Sequence, residues 1–168
     1  MKVKANAKIN LYLDVISKRS DGYHNIETIM QEISLADELE ILANKTGAIN
    51  LTVSGKFAVS PGKENIVYKA CELVRDKFGI KAGVDIHLIK NIPFGAGLGG
   101  GSSDAAAVIT ALSRLWQIDF SELELATSLG ADVPFFLNGG RAFAEGIGEK
   151  LTYTKNYPKQ YLVLVFPP

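Results

Sequence analysis

The sequence predicts an α+β fold, and three observations carry that expectation. Val3, Ala5, Ala7, Ile9, Leu11, Leu13 and Val15 alternate with Lys2, Lys4, Asn6, Lys8, Asn10, Tyr12 and Asp14, the period of two that marks a strand with one polar face. The middle of the chain changes to the spacing of amphipathic helices, and the two regimes are segregated along the chain: strands dominate the start, helices the middle. Segregation of this kind points to α+β and away from a regular βαβ alternation.

The elements follow in order. The first strand leaves Lys8 and Asn10 on the same face, two residues apart, where they must meet solvent or a ligand. The turn Ser20-Asp21-Gly22 closes it, and Ile26 to Leu42 reads as further strand with a break near Ala36-Asp37. Ile49 to Val53 is a short strand. Pro61-Gly62 opens a helix from about Asn65 to Phe78, with Val67, Ala70, Cys71, Val74 and Phe78 on one stripe and Gly79 as its stop. In residues 83 to 91, Val84, Ile86, Leu88 and Lys90 alternate with Asp85, His87 and Ile89, giving a strand that delivers the chain to Pro93. A helix then carries Ala105, Val108, Ile109, Leu112, Leu115 and Trp116 inward. Ser121 caps another, which runs to Leu129 and ends at Gly130. Phe135 to Leu137, Arg141 to Ala144 and Tyr161 to Phe166 are the remaining expected strands.

Composition narrows the function. The 168 residues, 47% hydrophobic and 21% charged, have the make-up of one ordinary globular domain. Lys plus Arg and Asp plus Glu are equal at 18 each, so no cationic excess is available to displace counterions from a nucleic-acid backbone, and no nucleic-acid partner is expected. One cysteine and two separated histidines give neither an internal disulfide nor a structural zinc pattern. No secretory or transit pattern opens the chain and no apolar run approaches membrane-spanning length, so a cytoplasmic setting without membrane contact is expected.

The strongest chemical signal is the run Pro93-Phe94-Gly95-Ala96-Gly97-Leu98-Gly99-Gly100-Gly101-Ser102-Ser103-Asp104, with five glycines in seven residues and a helix beginning there. Backbone without Cβ atoms can take positive φ and turn several N–H groups inward, and the unpaired N–H groups of a helix start face the same space. Such a place suits polyphosphate. The P-loop pattern fails because Gly101 stands where its Lys is required. Gly95, Gly97 and Gly100 satisfy G-x-G-x-x-G, with Asp119 at about the distance of a ribose-holding acid. The residues after Trp116 nevertheless turn helical instead of forming the second parallel strand of a dinucleotide fold. A dinucleotide-dependent oxidoreductase is therefore the minor reading.

Pro93 to Ala107, centred on Leu98-Gly99-Gly100-Gly101-Ser102-Ser103, closely resembles the glycine motif of the galactokinase, homoserine kinase, mevalonate kinase and phosphomevalonate kinase superfamily. Two further stretches match within it. Ala7-Lys8-Ile9-Asn10-Leu11 with Arg19-Ser20-Asp21-Gly22-Tyr23-His24, and Leu129-Gly130-Ala131-Asp132-Val133-Pro134-Phe135-Phe136, resemble the branch that phosphorylates 4-diphosphocytidyl-2-C-methyl-D-erythritol in the non-mevalonate isoprenoid pathway.

The resemblance implies an N-terminal lobe of the ribosomal protein S5 domain 2-like fold, a mixed sheet packed with helices. It also implies an ATP-binding kinase lobe over residues 1–153, with residues 154–168 starting a C-terminal lobe that is largely missing. It implies ATP and Mg²⁺ as cofactors and a cytidine diphosphate derivative as the small-molecule substrate. Lys8 and Asp132 would be the catalytic pair, the carboxylate taking the hydroxyl proton. Asn10 would position the substrate, and Tyr23 and His24 would hold the cytosine. Pro93, Phe94, Gly95, Ala96, Gly97, Leu98, Gly99, Gly100, Gly101, Ser102 and Ser103 would cradle ATP, with Asn65 nearby. No protein side chain is expected as a dedicated metal ligand. Read without the motif, Lys8 is a solvated strand lysine and Asp132 a turn residue. Ser102 or Ser103 is expected to cap its helix, Asp104 to complement the helix dipole, His87 to be structural and Cys71 to lie in the core. Catalytic incompetence of a half-enclosed site is the alternative to an active kinase.

Overall fold

In the computed structural model, residues 1–118, 121–155 and 157–166 are described. The order is β1 (Lys2–Lys18), β2 (His24–Asn44), β3 (Ile49–Gly55), α1 (Ile66–Phe78), β4 (Gly83–Lys90), α2 (Gly100–Leu115), α3 (Glu122–Leu129), α4 (Val133–Asn138), β5 (Arg141–Gly146) and β6 (Lys150–Tyr153). Six strands form one sheet in the order β3-β4-β2-β5-β6, with β1 paired to β2. The pairings are antiparallel except β3 with β4, so the sheet is mixed.

β2 organises the sheet. β1 pairs along one edge over residues 24–40, and the other edge is divided between β5, against residues 26–31, and β4, against residues 38–44. The intervening stretch carries a register irregularity, where Asn6 faces Ala36 and Lys8 faces Glu32. Bulges of this kind re-aim side chains next to sites. The break expected near Ala36-Asp37 is thus a change of partner and register within an unbroken strand.

One face of the sheet is buried under α1, α2 and α3. Val67, Ala70, Cys71 and Val74 of α1 and Val108, Ile109 and Leu112 of α2 meet Leu39, Ile41, Val84, Ile86 and Leu88 of the strands. Burial pushes the Cys71 thiol up to about 12, so it stays an uncharged core side chain. His87 sits at the sheet surface beside Ser54, with Oγ and Nε2 2.8 Å apart. Among the described residues no helix is long and apolar enough to cross a membrane.

Several expectations are corrected. Phe135 to Leu137 is helical, the core of α4. Pro134 sits in its first turn, where a missing N–H costs nothing and the fixed φ favours helix, and Gly139 N–H donates to Phe135 O at 2.8 Å. A helix also lets adjacent aromatics pack on different neighbours: Phe135 stacks on Tyr153 at 6.5 Å and meets Phe136 edge-on at 5.2 Å. Tyr161 to Phe166 belongs to no strand, and Tyr161 and Val163 are 90% and 93% exposed; alternation shows strand potential, but a ladder needs a partner. β6 was not expected and completes a hairpin with β5. Helix α2 starts at Gly100, so Ser102 and Ser103 lie inside its first turn and cap nothing, and Gly99 is the N-cap. Ser121 is the N-cap of α3 without a side-chain cap bond. After α2 comes α3 and not a parallel strand, which removes the dinucleotide-fold reading; Asp119 lies outside the described residues.

Phe135 is fully buried in a small cluster with Met30, Ala142 and Ala144 that fixes the β5–β6 side of the sheet. Phe135→Ala is expected to lower unfolding free energy by about 3–5 kcal/mol in urea titration. Leu123→Ala, at a position 53% exposed, is expected to change it by under about 0.5 kcal/mol.

Candidate active site

The parity of β1 puts Lys8 where strand, glycine loop and α4 converge. Its backbone N–H donates to Leu98 O at 2.9 Å, which ties the strand directly to the loop. Its ammonium donates to Asn10 Oδ1 at 2.7 Å and lies 3.4 Å from Asp132 Oδ2, the two side chains being 8% and 33% exposed. Asn10 is itself held: its Nδ2 donates to Thr28 Oγ1 at 2.6 Å, and that hydroxyl donates to Tyr12 O at 2.6 Å. Asp132 precedes α4 in the N-cap position but makes no side-chain cap bond, which leaves its carboxylate turned to the lysine.

The loop after β4 wraps the other side. Gly95, Gly97 and Gly99 take φ of +73°, +71° and +69°, so the chain alternates through the left-handed region that other residues avoid. At two positions space also requires glycine. A Cβ on Gly99 would stand 2.6 Å from Phe136 Cζ and 3.2 Å from Lys8 Cγ, and one on Gly100 would stand 2.8 Å from Ile92 Cγ2 and 3.2 Å from Lys90 Nζ. Ser103 N–H is the first in α2 to find a helical acceptor, Gly99 O at 2.9 Å. The N–H groups of Gly100, Gly101 and Ser102 precede it and have no intrahelical partner.

These groups line a cavity of about 740 Å³ that also takes in Lys8 and Asp132. Its opposite wall is Ala58, Val59 and Ser60 with Asn65 and Ile66. Asn65 shapes that wall as the α1 cap, its Oδ1 accepting from Val67 N–H at 2.9 Å while Nδ2 donates to Ser60 O at 2.7 Å. An apolar wall facing a row of unpaired amides at a helix start suits a flat base joined to phosphates.

Pro93 to Ser102 thus share one cavity with Lys8, Asp132 and Asn65, while Asn10 supports Lys8 from β1. Three expected residues lie elsewhere. Ser103 is buried and faces a smaller space of about 170 Å³ between β1, α2 and α4. Tyr23 and His24 are exposed at the far end of the β1–β2 hairpin, where His24 pairs with Lys18. That end is about ten strand residues from Lys8, on the order of 30 Å. It is locally shaped: Arg19 pairs with Asp21 at 2.8 Å, Tyr23 N–H donates to Asp21 Oδ1 at 3.1 Å, and Tyr23 O accepts from Arg19 N–H at 2.8 Å.

A buried ionic cluster under the loop was not read from the sequence. The Lys90 ammonium, its side chain 5% exposed, contacts Asp37 Oδ2 and lies 2.8 Å from Asp104 Oδ2. Asp37 Oδ1 accepts from Asn91 N–H at 2.5 Å and Ile92 N–H at 2.8 Å. Asp104 is therefore an ion-pair partner and not a solvated complement to the dipole, and its Oδ1 has no hydrogen-bond partner. Burial pushes the Asp104 carboxyl up to about 8; Lys90 opposes that rise and Asp37 adds to it. Burial lowers the Lys90 ammonium, but the two carboxylates more than offset it, so its pKa lies above the ordinary value. A signal was present: Lys90 shares the inward parity of Val84, Ile86 and Leu88, and Asp104 lies four residues before inward Val108.

Residues 65–140 match the family model described as the GHMP kinases N terminal domain. The matched segment is thus similar to the N-terminal domain of a class of small-molecule kinases. The chain is 53% identical over 167 residues to 4-diphosphocytidyl-2-C-methyl-D-erythritol kinase of Pelotomaculum thermopropionicum, covering 98% of this chain and 58% of that protein. It is 50% identical to the protein of the same name in Clostridium novyi, covering 98% and 59%. A crystal structure of 4-(cytidine 5'-diphospho)-2C-methyl-D-erythritol kinase superposes with a TM-score of 0.78 at 45% identity, over 90% of this chain and 54% of that one. Methanococcus jannaschii mevalonate kinase shares the fold, with a TM-score of 0.68 at 16% identity over 93% and 56% of the two chains. The chain spans somewhat over half the length of the curated relatives it matches.

Asp104 generates a pH prediction. Its folded carboxyl titrates above the ordinary 3.8, so its contribution to stability is full below about pH 4 and is lost as pH rises through about 8. Melting temperatures of wild type and Asp104→Asn, compared between pH 5 and pH 9, are expected to move in the variant's favour with rising pH. A difference independent of pH would contradict the assignment.

Proposed function

We propose that this chain is the ATP-binding part of a kinase that phosphorylates a hydroxyl of 4-diphosphocytidyl-2-C-methyl-D-erythritol, an isoprenoid precursor, in the cytoplasm. The observation that carries the reading is the Lys8–Asp132 couple, 3.4 Å apart, opening onto the same cavity as the free amides of the glycine loop. Residues 1–153 form the ATP-binding lobe on this reading, and residues 154–168 begin a second lobe.

The reaction asks little of a base and much of placement. The substrate hydroxyl oxygen forms a bond to the γ-phosphorus as the bond from that phosphorus to the β–γ bridging oxygen breaks, and ADP departs. The hydroxyl proton passes to the Asp132 carboxylate. Lys8, steered by Asn10, orients that carboxylate and offsets charge on the phosphoryl oxygens. The amides of Gly100, Gly101 and Ser102 hold the phosphates without reorganising. Tyr23 and His24 take the cytosine at the hairpin end, the ring of Tyr23 offering a stacking face and His24 polar groups for the base edge.

Mg²⁺ fits as an ion carried by the nucleotide. Of the three carboxylates lining the cavity, Asp132 and Asp104 are engaged with lysines and Glu64 accepts from the Ser60 hydroxyl, and no group of three metal-ligating side chains occurs among the described residues. Such a donor set suits an ion held by phosphate oxygens and water, which would neutralise phosphate charge. The second reading is a nucleotide-binding fragment that does not turn over, favoured by the exposure of Tyr23 and His24 and by the longer relatives.

Two measurements separate these readings. ADP formation from Mg-ATP and the cytidyl substrate is expected with wild type and to fall by about 10²–10⁴ in Asp132→Asn; turnover equal to that control leaves the fragment reading. Calorimetric Mg-ATP binding is expected under both and is expected to be lost in Gly100→Val, whose side chain would collide with Ile92. Wild-type protein that binds no nucleotide overturns both.

A further inference from the structure

Lys90, Asp37 and Asp104 take no part in the transfer just described, yet they join the three segments that shape the phosphate end of the cavity. Asp37 comes from the stretch of β2 between its β5 and β4 partners, where it faces Ala5 of β1; Lys90 is the last residue of β4, and Asp104 lies in the first turns of α2. The second oxygen of Asp37 holds the amides of Asn91 and Ile92, the first two residues after the strand. The Lys90 ammonium stands 3.2 Å from where a Cβ on Gly100 would be, directly beneath the helix start.

The backbone of the same residue holds the facing wall. Lys90 O accepts from Lys56 N–H at 2.7 Å and Phe57 N–H at 3.3 Å, and these two residues lead into Ala58, Val59 and Ser60. One residue therefore fixes the glycine loop through its side chain and the opposite wall through its carbonyl. A cation placed beneath the positive end of a helix is unfavourable by itself. Two carboxylates make it tenable, and through them the charge becomes a joint between β2, β4 and α2.

We propose that Lys90 is a positioning residue for the nucleotide phosphates: its ion pairs with Asp37 and Asp104 set the height of the glycine loop against α2, so that the Gly100, Gly101 and Ser102 amides converge on one point. The inference rests on the phosphate-binding reading of the loop. It differs from a purely structural ion pair in one consequence. Loss of the joint degrades recognition of the phosphates and spares recognition of the base, because Ala58, Val59 and Ile66 are held by other contacts.

Lys90→Met tests this, alongside Lys90→Arg and the double variant Lys90→Met/Asp104→Asn. The double variant removes the carboxylate of Asp104 together with the lysine and leaves Asp37 on the Asn91 and Ile92 amides, so it loses less stability than the single variant. Mg-ATP affinity is measured by calorimetry and adenosine binding by chemical-shift titration, on samples shown to be folded by their melting curves. The expected result is a loss of roughly tenfold or more for Mg-ATP in Lys90→Met and in the double variant, unchanged adenosine binding, and substantial recovery in Lys90→Arg. Unchanged Mg-ATP affinity, or equal losses for Mg-ATP and adenosine, overturns the proposal alone. Absence of Mg-ATP binding by wild type overturns the phosphate reading and this proposal with it.

Discussion

The close approach of bare backbone to packed side chains governs the glycine-loop end of this molecule. Gly99 rests on Phe136 and the stem of Lys8, and Gly100 rests on Ile92 above the Lys90 ammonium, in gaps that leave no room for a methyl group. Because of that contact the amides at the start of α2 stand within reach of both the lysine of β1 and the aspartate before α4. Protein interiors resist compression, so the loop's position is inherited from the core beneath it. The α4 aromatics, the β4 terminus and the β1 strand must each be in place before the amides are.

Electrostatics then divides into two levels. At the mouth, Asp132 is partly open and Lys8, itself buried, reaches it from below, with Asn10 and Thr28 fixing the lysine from behind. Below, Lys90 is closed off between two carboxylates, one of whose oxygens has no partner. A bare buried oxygen is costly when charged, which agrees with the elevated titration of Asp104. The upper pair is suited to chemistry and the lower cluster to geometry.

Much of this was legible in the sequence because its signals are local. Alternation identifies β1 and β4, turn residues bound the short β3 and β5, the apolar stripe identifies α1 and its Asn65 boundary, and the glycine run locates the start of α2. Proximity of Lys8 to Asp132 follows from the family resemblance of their two motifs and not from spacing, since 124 positions separate them. What failed was tertiary in origin. Phe135-Phe136-Leu137 is too short for its period to be decided, and packing on Tyr153 decided it. Tyr161 to Phe166 has strand composition without a strand beside it. Lys90 and Asp104 interrupt apolar periods at inward positions, and only the fold reveals that each interruption answers the other.

The β1–β2 hairpin joins the lysine at the cavity to the Tyr23-His24 end as a single pleated ribbon. On the reading that a base docks at one end and phosphate moves at the other, this ribbon is a gauge of molecular length. Its divisions are set by the pleat, about 7 Å for each pair of residues that keeps the faces in place, and the register shifts at Asn10–Tyr12 and Val15–Ser17 mark where the ribbon departs from that regular count. Ligands that differ by less than such a step have to be told apart by something other than reach.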